Sequence, residues 1–248
     1  MTSPRPWRWL PAAAQRPAAN MAIDEAIFRR RPIRPTLRFY RWEPPGLSLG
    51  YFQAADAGEI ARFRAAGFEV VRRMTGGGAI AHAGELTFSI ALPAGDPSLP
   101  GGLVASYEAI HGGLIEALAD VGVRAALRGS GDADETPFLC FHRATGFDLV
   151  ARGRKLVGSA QRRSRGAFLQ HGSIPVEPNR WTPDATSVRE EAGRDVGYDE
   201  LERAIVDRLG ARLGVTLDPG DLDGEERSLA AELEEARYAT DAWTLKRA

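Results

Sequence analysis

The sequence predicts an α+β fold, a mixed and mostly antiparallel sheet flanked by helices. Three observations carry that prediction. Strand-like runs cluster early, over residues 36–93, and again centrally, over 146–176, with clear two-residue alternation in Glu85 to Pro93 and in the Lys155 strand. Tight turn signals join several of them, as in hairpins. Two longer stretches, near 103–121 and 198–213, instead repeat apolar residues every three or four positions, the stripe of a helix packed on a core.

Each element follows from its own residues. Ala18 to Arg31 reads as a short amphipathic helix through Met21, Ile23, Ala26 and Ile27, with Arg29 to Arg31 at the end where cations favour the helix dipole. Thr36 to Trp42 and Leu47 to Phe52 read as strands around the turn Glu43-Pro44-Pro45-Gly46. A helix from Ala57 to Ala66 is closed by Gly67, and Phe68 to Arg73 returns as a strand. Glu85 to Pro93 alternates Leu86, Phe88 and Ile90 against Glu85, Thr87 and Ser89, the period of a half-buried strand. Residues 94–102 connect to the helix carrying Leu103, Tyr107, Ile110, Leu114, Leu118 and Val121. Arg128 to Pro137 is a polar, Gly-rich loop.

A hairpin follows, from 146–151 through the Arg152-Gly153 turn to Lys155–Arg162, then a strand from Phe168 to Val176. Strict alternation over the Lys155 strand places Lys155, Val157, Ser159 and Gln161 on one face, and Leu156, Gly158 and Ala160 on the other. The chain closes with Tyr198, Leu201, Ile205, Leu209 and Leu213 at helical spacing and a charged helix from about Glu225 to Ala239. With 44% apolar residues, we expect 1–248 to form a single domain, its core at about 18–178 and a C-terminal helical part at about 195–243.

Bulk properties narrow the function. The formal charge of −1 announces no nucleic-acid-binding face, and no apolar run reaches the length of a membrane span. The N-terminal residues lack the apolar block of a secretory signal, so a cytoplasmic location is expected. One cysteine precludes an internal disulfide and a cysteine-cluster metal site, and no metal is expected. Of the 32 basic residues only Lys155 and Lys246 are lysines. Where arginine is the default cation, Lys155 marks a position that wants a compact ammonium rather than a planar fork.

The chemistry gathers at two places. Between two strands lies Arg72-Arg73-Met74-Thr75-Gly76-Gly77-Gly78-Ala79-Ile80-Ala81-His82. Three consecutive glycines add nothing to packing and cost entropy, but they let backbone approach a ligand closely. Flanking Arg73, Thr75 and His82 add polar groups. The second place is the hairpin holding Cys140 and Lys155. A cation near a thiol favours the nucleophilic thiolate, and a fixed donor stabilises a developing oxyanion. Cys140, Lys155 and the glycine amides together would make an acyl-transfer site. His82 and His142 are rival candidates for moving protons, and spacing does not choose between them.

The stretches 72–82 and Gly153-Arg154-Lys155-Leu156-Val157-Gly158-Ser159-Ala160-Gln161 resemble the two signatures of the lipoate–protein ligase and octanoyltransferase superfamily, which includes the biotin–protein ligases. Asn20 to Glu25, Gln170 to Pro175 and Tyr238 to Trp243 resemble its early helix, a later core strand and its ending. The resemblance implies a catalytic domain of the biotin/lipoate ligase kind, without the accessory C-terminal domain of many ligases. Cys140-Phe141, placed ahead of Lys155, is similar to the nucleophile segment of the cysteine-dependent octanoyltransferase branch.

That branch implies transfer of octanoate from octanoyl-acyl carrier protein, through a Cys140 thioester, to a lysine of a lipoyl-carrier protein. The glycine cleavage H protein and dehydrogenase E2 lipoyl domains are the carriers it implies, and no cofactor is required. It implies that Arg73, Thr75, Gly76, Gly77 and Gly78 cradle the acyl group, with His82 at the same pocket. Lys155 would act on the acyl carbonyl, with Gly158, Ser159 and Gln161 completing the wall. Two other readings remain at this stage: a ligase working through an adenylate with ATP and magnesium, and a non-catalytic acyl-binding protein.

Overall fold

The computed structural model describes residues 6–30, 34–129, 138–142, 145–164 and 166–247. Its main sheet has eight strands. In spatial order these are β11 (Leu217–Pro219), β1 (Trp7–Gln15), β2 (Thr36–Trp42), β6 (Glu85–Pro93), β10 (Ala167–Pro175), β9 (Arg154–Ser164), β8 (Leu149–Ala151) and β7 (Ala126–Leu127). Only the β11–β1 and β1–β2 ladders are parallel; from β2 to β7 every ladder is antiparallel. A second sheet of β4 (Glu69–Arg72), β3 (Gly46–Leu49) and β5 (Ile80–His82) stands beside it. The mixed, mostly antiparallel α+β architecture expected from the sequence is therefore present.

Helices cover both faces of the large sheet. On one face α3 (Leu103–Asp120) and α5 (Tyr198–Leu213) press Ile110, Leu114, Leu118, Leu201, Ile205 and Leu209 onto Leu37, Phe39, Leu86, Phe88 and Ile90. On the other, α1 (Pro17–Arg29) and α6 (Gly224–Leu233) bring Met21, Ala22, Ile27, Ala230 and Leu233 against Tyr40, Ala91 and Leu169. The small sheet forms a third cluster, in which Leu47, Leu49, Phe68 and Leu139 meet Ile60 and Phe63 of α2 (Ala57–Ala65).

This layering corrects one expectation. Strand β6 has the alternation of a half-buried strand, yet eight of its nine residues are buried, because it is central and covered on both sides. Its polar residues, Glu85, Thr87 and Ser89, turn to the α1 side and are hydrogen-bonded there rather than solvated. Strand β1 is the element the pattern did not announce. Its run includes Pro11, and its pairing with β2 slips between Leu10 and Ala13, the kind of irregularity where proline is tolerated in a sheet.

The chain end is tied to the site by Arg72, whose buried guanidinium donates to the carbonyls of Thr244 (2.9 Å), Gly50 (2.6 Å) and Gln53 (2.6 Å). Trp243 Nε1 donates in turn to the Arg72 carbonyl at 2.8 Å. Within the described residues, no helix is long and apolar enough to cross a membrane. Most of the loop expected at 128–137 falls outside the described residues.

Candidate active site

The glycine strip leaves β4 and passes under the end of β3. Its course is fixed by Arg73, buried, which donates to the carbonyls of Gly76 and Gly78, both at 2.7 Å, and of Ser48 at 2.9 Å. A cation that gathers the carbonyls turns the opposite side of the peptide planes outward. Gly77 sits at φ +94°, and a Cβ there would come within 2.9 Å of the Arg73 guanidinium. Gly50 is as constrained: a Cβ on it would lie 1.8 Å from the Gly77 carbonyl oxygen. Gly50 must be glycine because backbone crosses it closely, and Gly77 because of its positive φ and the Arg73 guanidinium, reasons internal to the fold rather than the ligand approach expected of the triplet. Gly76, by contrast, faces open space.

The thiol faces this strip. Ala79 and Leu139 bridge as parallel strands, with Ala79 N–H donating to Phe138 O at 2.9 Å and Cys140 N–H to Ala79 O at 2.5 Å. A 3₁₀ turn begins at Cys140. The residue is half-buried, and its Sγ lies 3.7 Å from where a Gly77 Cβ would be. Both residues border a cavity of about 350 Å³, within the usual range for small-ligand pockets. Met21, Tyr40, Trp42 and Ile80 give it an apolar interior, while Arg73, His82, Asp148 and His171 supply polar groups.

Lys155 lies just behind the wall. It is 2% exposed. Its ammonium donates to Asp148 Oδ1 at 2.9 Å and to the Cys140 carbonyl at 3.1 Å, 5.3 Å from the centre of the Phe141 ring. The lysine thus ties the Cys140 backbone to the hairpin. Asp148, with no sequence signal beyond its place in that hairpin, is the partner that compensates a buried ammonium.

One expectation about this strand is overturned. Leu149 pairs with Val157 but Val150 with Lys155, so β9 carries a bulge between them. The extra residue resets the alternation, and Lys155 joins the face of Gly158: a Cβ on Gly158 would be 3.0 Å from Lys155 Cε. Ser159 and Gln161 point to α3 instead, where Ser159 Oγ lies 2.8 Å from His111 Nε2 and Gln161 Nε2 donates to Ser106 Oγ at 3.0 Å. Both still border the cavity along the strand edge, as β8 pairs with β9 no further than Val157.

Two buried networks back the pocket. In the first, His82 Nδ1 bonds the Glu85 carboxylate and Nε2 lies 2.7 Å from Ser48 Oγ, with the ring stacked 3.7 Å from Trp42. The carboxylate fixes the tautomer, so Nδ1 donates and Nε2 accepts. Burial lowers the His82 pKa despite the opposing pull of Glu85. In the second, Thr75 Oγ1 lies 2.5 Å from His171 Nε2, and His171 faces Asp24, which also pairs with Arg38 at 2.6 Å. Burial opposes ionisation of Asp24, but Arg38, His171 and Ser89 outweigh it and hold its pKa below the ordinary value.

The structure therefore brings Arg73, Gly76, Gly77, His82, Cys140, Gly158, Ser159 and Gln161 to one cavity. Thr75, Gly78 and Lys155 support it from behind. The His142 side chain lies outside the described residues. Asp148, His171, Ser48 and Gly50 are site residues that pattern reading missed. Their roles arise from contacts between segments far apart in sequence, and only His171 stood in a quoted signature.

Residues 16–191 match the lipoyl protein ligase A/B catalytic domain. The chain belongs to that family. Among its relatives, the lipoyl protein ligase-type chain is 37% identical to Octanoyltransferase LipM of Symbiobacterium thermophilum, covering 97% of this chain and 98% of the relative. It is 33% identical to the Geobacillus kaustophilus protein of the same name, at 97% and 98% coverage. Its fold is similar to that of a T. acidophilum protein solved with bound lipoic acid, with TM-score 0.82, 25% identity, and coverage of 97% of this chain and 99% of that one.

Proposed function

We propose that this lipoyl protein ligase-family chain is an octanoyltransferase acting in protein lipoylation, with Cys140 carrying the acyl group between an octanoyl-acyl carrier protein and a lysine of a lipoyl-carrier domain. The observation that carries this reading is the thiol of a half-buried cysteine against the glycine strip in the wall of an apolar cavity. Its full-length relatives are named octanoyltransferases.

Two half-reactions follow. The Cys140 sulfur attacks the carbonyl of the donor thioester; the new C–S bond forms, the donor's C–S bond breaks, and the proton of Cys140 leaves with the donor as its free thiol. The neutral amine of the acceptor lysine then attacks the acyl-enzyme. An amide forms, the Cys140 C–S bond breaks, and a proton from the amine returns to the sulfur. Thioester exchange is nearly isoenergetic and aminolysis runs downhill, so neither half-reaction calls for ATP. The protein's work is to hold the reacting atoms in place and exclude water.

In this scheme Arg73 positions the strip, and Lys155 positions Cys140 through its carbonyl and sets positive charge beside the developing thiolate. Trp42, Tyr40 and Met21 receive the chain. His82, held by Glu85 at Nδ1 and by Ser48 at Nε2, fixes the Trp42 ring against which it stacks at the same pocket. The test is intact-mass measurement after incubation with octanoyl-acyl carrier protein. A covalent octanoyl adduct, absent from Cys140→Ala, is expected. Carrier-domain acylation by the Cys140→Ala protein, or strict dependence on ATP and magnesium, would overturn it in favour of the adenylate route.

A further inference from the structure

Lys246, the second of only two lysines in the chain, stands in a cluster the site does not use. Its ammonium sits 3.2 Å above the Trp243 ring and 3.9 Å from the Tyr51 ring centre. The Arg247 guanidinium lies 5.7 Å from Tyr51 and 5.4 Å from Phe52, and Arg162 approaches Tyr51 from the other strand at 5.4 Å. Phe52 is 72% exposed. Burial and the four arginines 72, 237, 247 and 162 lower the Lys246 pKa to about 8. Like charges are thus crowded on a face of aromatic rings in a chain whose net charge is −1. An arriving anion relieves that crowding, and charge at an exposed rim acts chiefly on encounter and specificity.

The cluster adjoins the site without lining it. Arg162 donates to the Met74 carbonyl at 2.8 Å, and Tyr51 N–H to the Thr75 carbonyl at 2.7 Å, so both hold the entry to the glycine strip. Ala55 N–H donates to the Arg247 carbonyl at 2.8 Å, fastening the chain end to the same segment. None of Arg162, Lys246 and Arg247 borders the cavity. Among the two substrates, the acceptor offers a short lysine side chain and must bring its body to the cavity mouth. A carrier that holds its acyl group on a long arm can dock to the side, with the phosphodiester of the arm lying between.

We propose that Arg162, Lys246 and Arg247, with the exposed ring of Phe52, dock the acyl donor: an acidic carrier protein presenting its thioester on a phosphodiester-bearing arm. This rests on the acyl-transfer reading above and adds the surface that selects its donor. Arginine and lysine meet the phosphodiester and the carrier's carboxylates, and Phe52 buries apolar area at the centre of the contact.

The test compares two donors on the full-length protein. Lys246→Glu/Arg247→Glu is assayed for Cys140 acylation by octanoyl-acyl carrier protein and by S-octanoyl-N-acetylcysteamine, which has neither carrier nor phosphate. The expected result is a rise in KM for the carrier-bound donor on the order of tenfold or more, with the small thioester within twofold of wild type. Added salt should weaken the wild-type preference for the carrier-bound donor and leave the small thioester unaffected.

Unchanged kinetics with the carrier-bound donor would overturn the proposal, as would a rise in KM for the acceptor domain alone. If both donors fail together, Lys246→Met/Arg247→Met, which removes charge without adding any, decides. A selective loss in that variant supports the proposal and a joint loss overturns it. Failure of wild type to acylate Cys140 with either donor would instead defeat the parent reading.

Discussion

Replacing Asp148 by asparagine tests the internal ion pair that braces the turn at Cys140. Lys155 and Asp148 are almost wholly buried, with side chains 2% and 4% exposed, and their charged atoms lie 2.9 Å apart. Removing one partner of such a pair strands the other charge in a medium that solvates it poorly, at a cost of about 3–5 kcal/mol. Asparagine keeps the shape and removes only the charge. For a chain of this length each kcal/mol moves Tm by about 2–4 °C, so the substitution should lower Tm by about 6–20 °C.

The catalytic effect is separable from that loss. A lysine without its counter-charge either sheds its proton or withdraws from the Cys140 carbonyl, and in both cases the turn at Cys140 loses a charge-assisted hydrogen bond. The rate of octanoyl-adduct formation, followed by intact mass well below the variant's Tm, should fall on the order of a hundredfold, the scale of one lost electrostatic donor. The double variant Asp148→Leu/Lys155→Met removes both charges and should recover much of the Tm with none of the rate. A single Asp148→Asn variant that keeps its Tm within 2 °C and its rate within about twofold would refute the view that this pair sets the lysine and, through it, the thiol.

Other substitutions probe the remaining parts. Lys155→Arg keeps the cation but spreads it over a plane too wide for the slot beside Gly158, and adduct formation should fall by on the order of a hundredfold. Gly77→Ala forces a side chain into φ +94° and against Arg73; acylation should drop with a stability loss of about 1–2 kcal/mol, whereas Gly76→Ala, facing open space, should fold normally by circular dichroism. Acid titration reads His111, whose pKa burial lowers to about 4. The unfolded chain takes up this proton near pH 6.5 and the folded one only near 4, so stability should be lost as pH falls between them, by up to about 3 kcal/mol. Denaturant midpoints for wild type and His111→Gln should converge as pH falls through that window.

Much of this was legible before any coordinates. The two-residue period placed β6, strand-like runs beside turn signals placed β2 and β10, and the helical stripes placed α3 and α5, because these signals are local. The glycine triplet marked a strip that borders the cavity, and the scarcity of lysine drew attention to Lys155. What stayed hidden depends on contacts between distant segments. Gly50 looks like an ordinary end to a short strand, and only the Gly77 carbonyl lying against it gives the absence of a side chain its meaning. Asp148 looks like any loop aspartate until the hairpin folds it under the ammonium. The side chains of β9 were assigned wrongly because strict alternation has no way to register one extra residue.

That extra residue is also what brings Lys155 to Cys140. Without the bulge, Lys155 would point with Ser159 and Gln161 toward α3, where His111 and Ser106 already satisfy the polar groups. Its ammonium would then lie on the far side of the sheet from Cys140. With the bulge, the lysine reaches the Cys140 carbonyl while Gly158 leaves room for its stem. Deleting Leu156 restores simple pairing with β8 and leaves Lys155 two positions from Gly158, so the ammonium should keep its face while the core loses one fully buried leucine. The expected signature is a protein with a lowered but cooperative thermal transition that still forms the octanoyl adduct. A folded deletion variant that no longer acylates would mean that the bulge does more than choose the side of the sheet, and the alternation argument would fail.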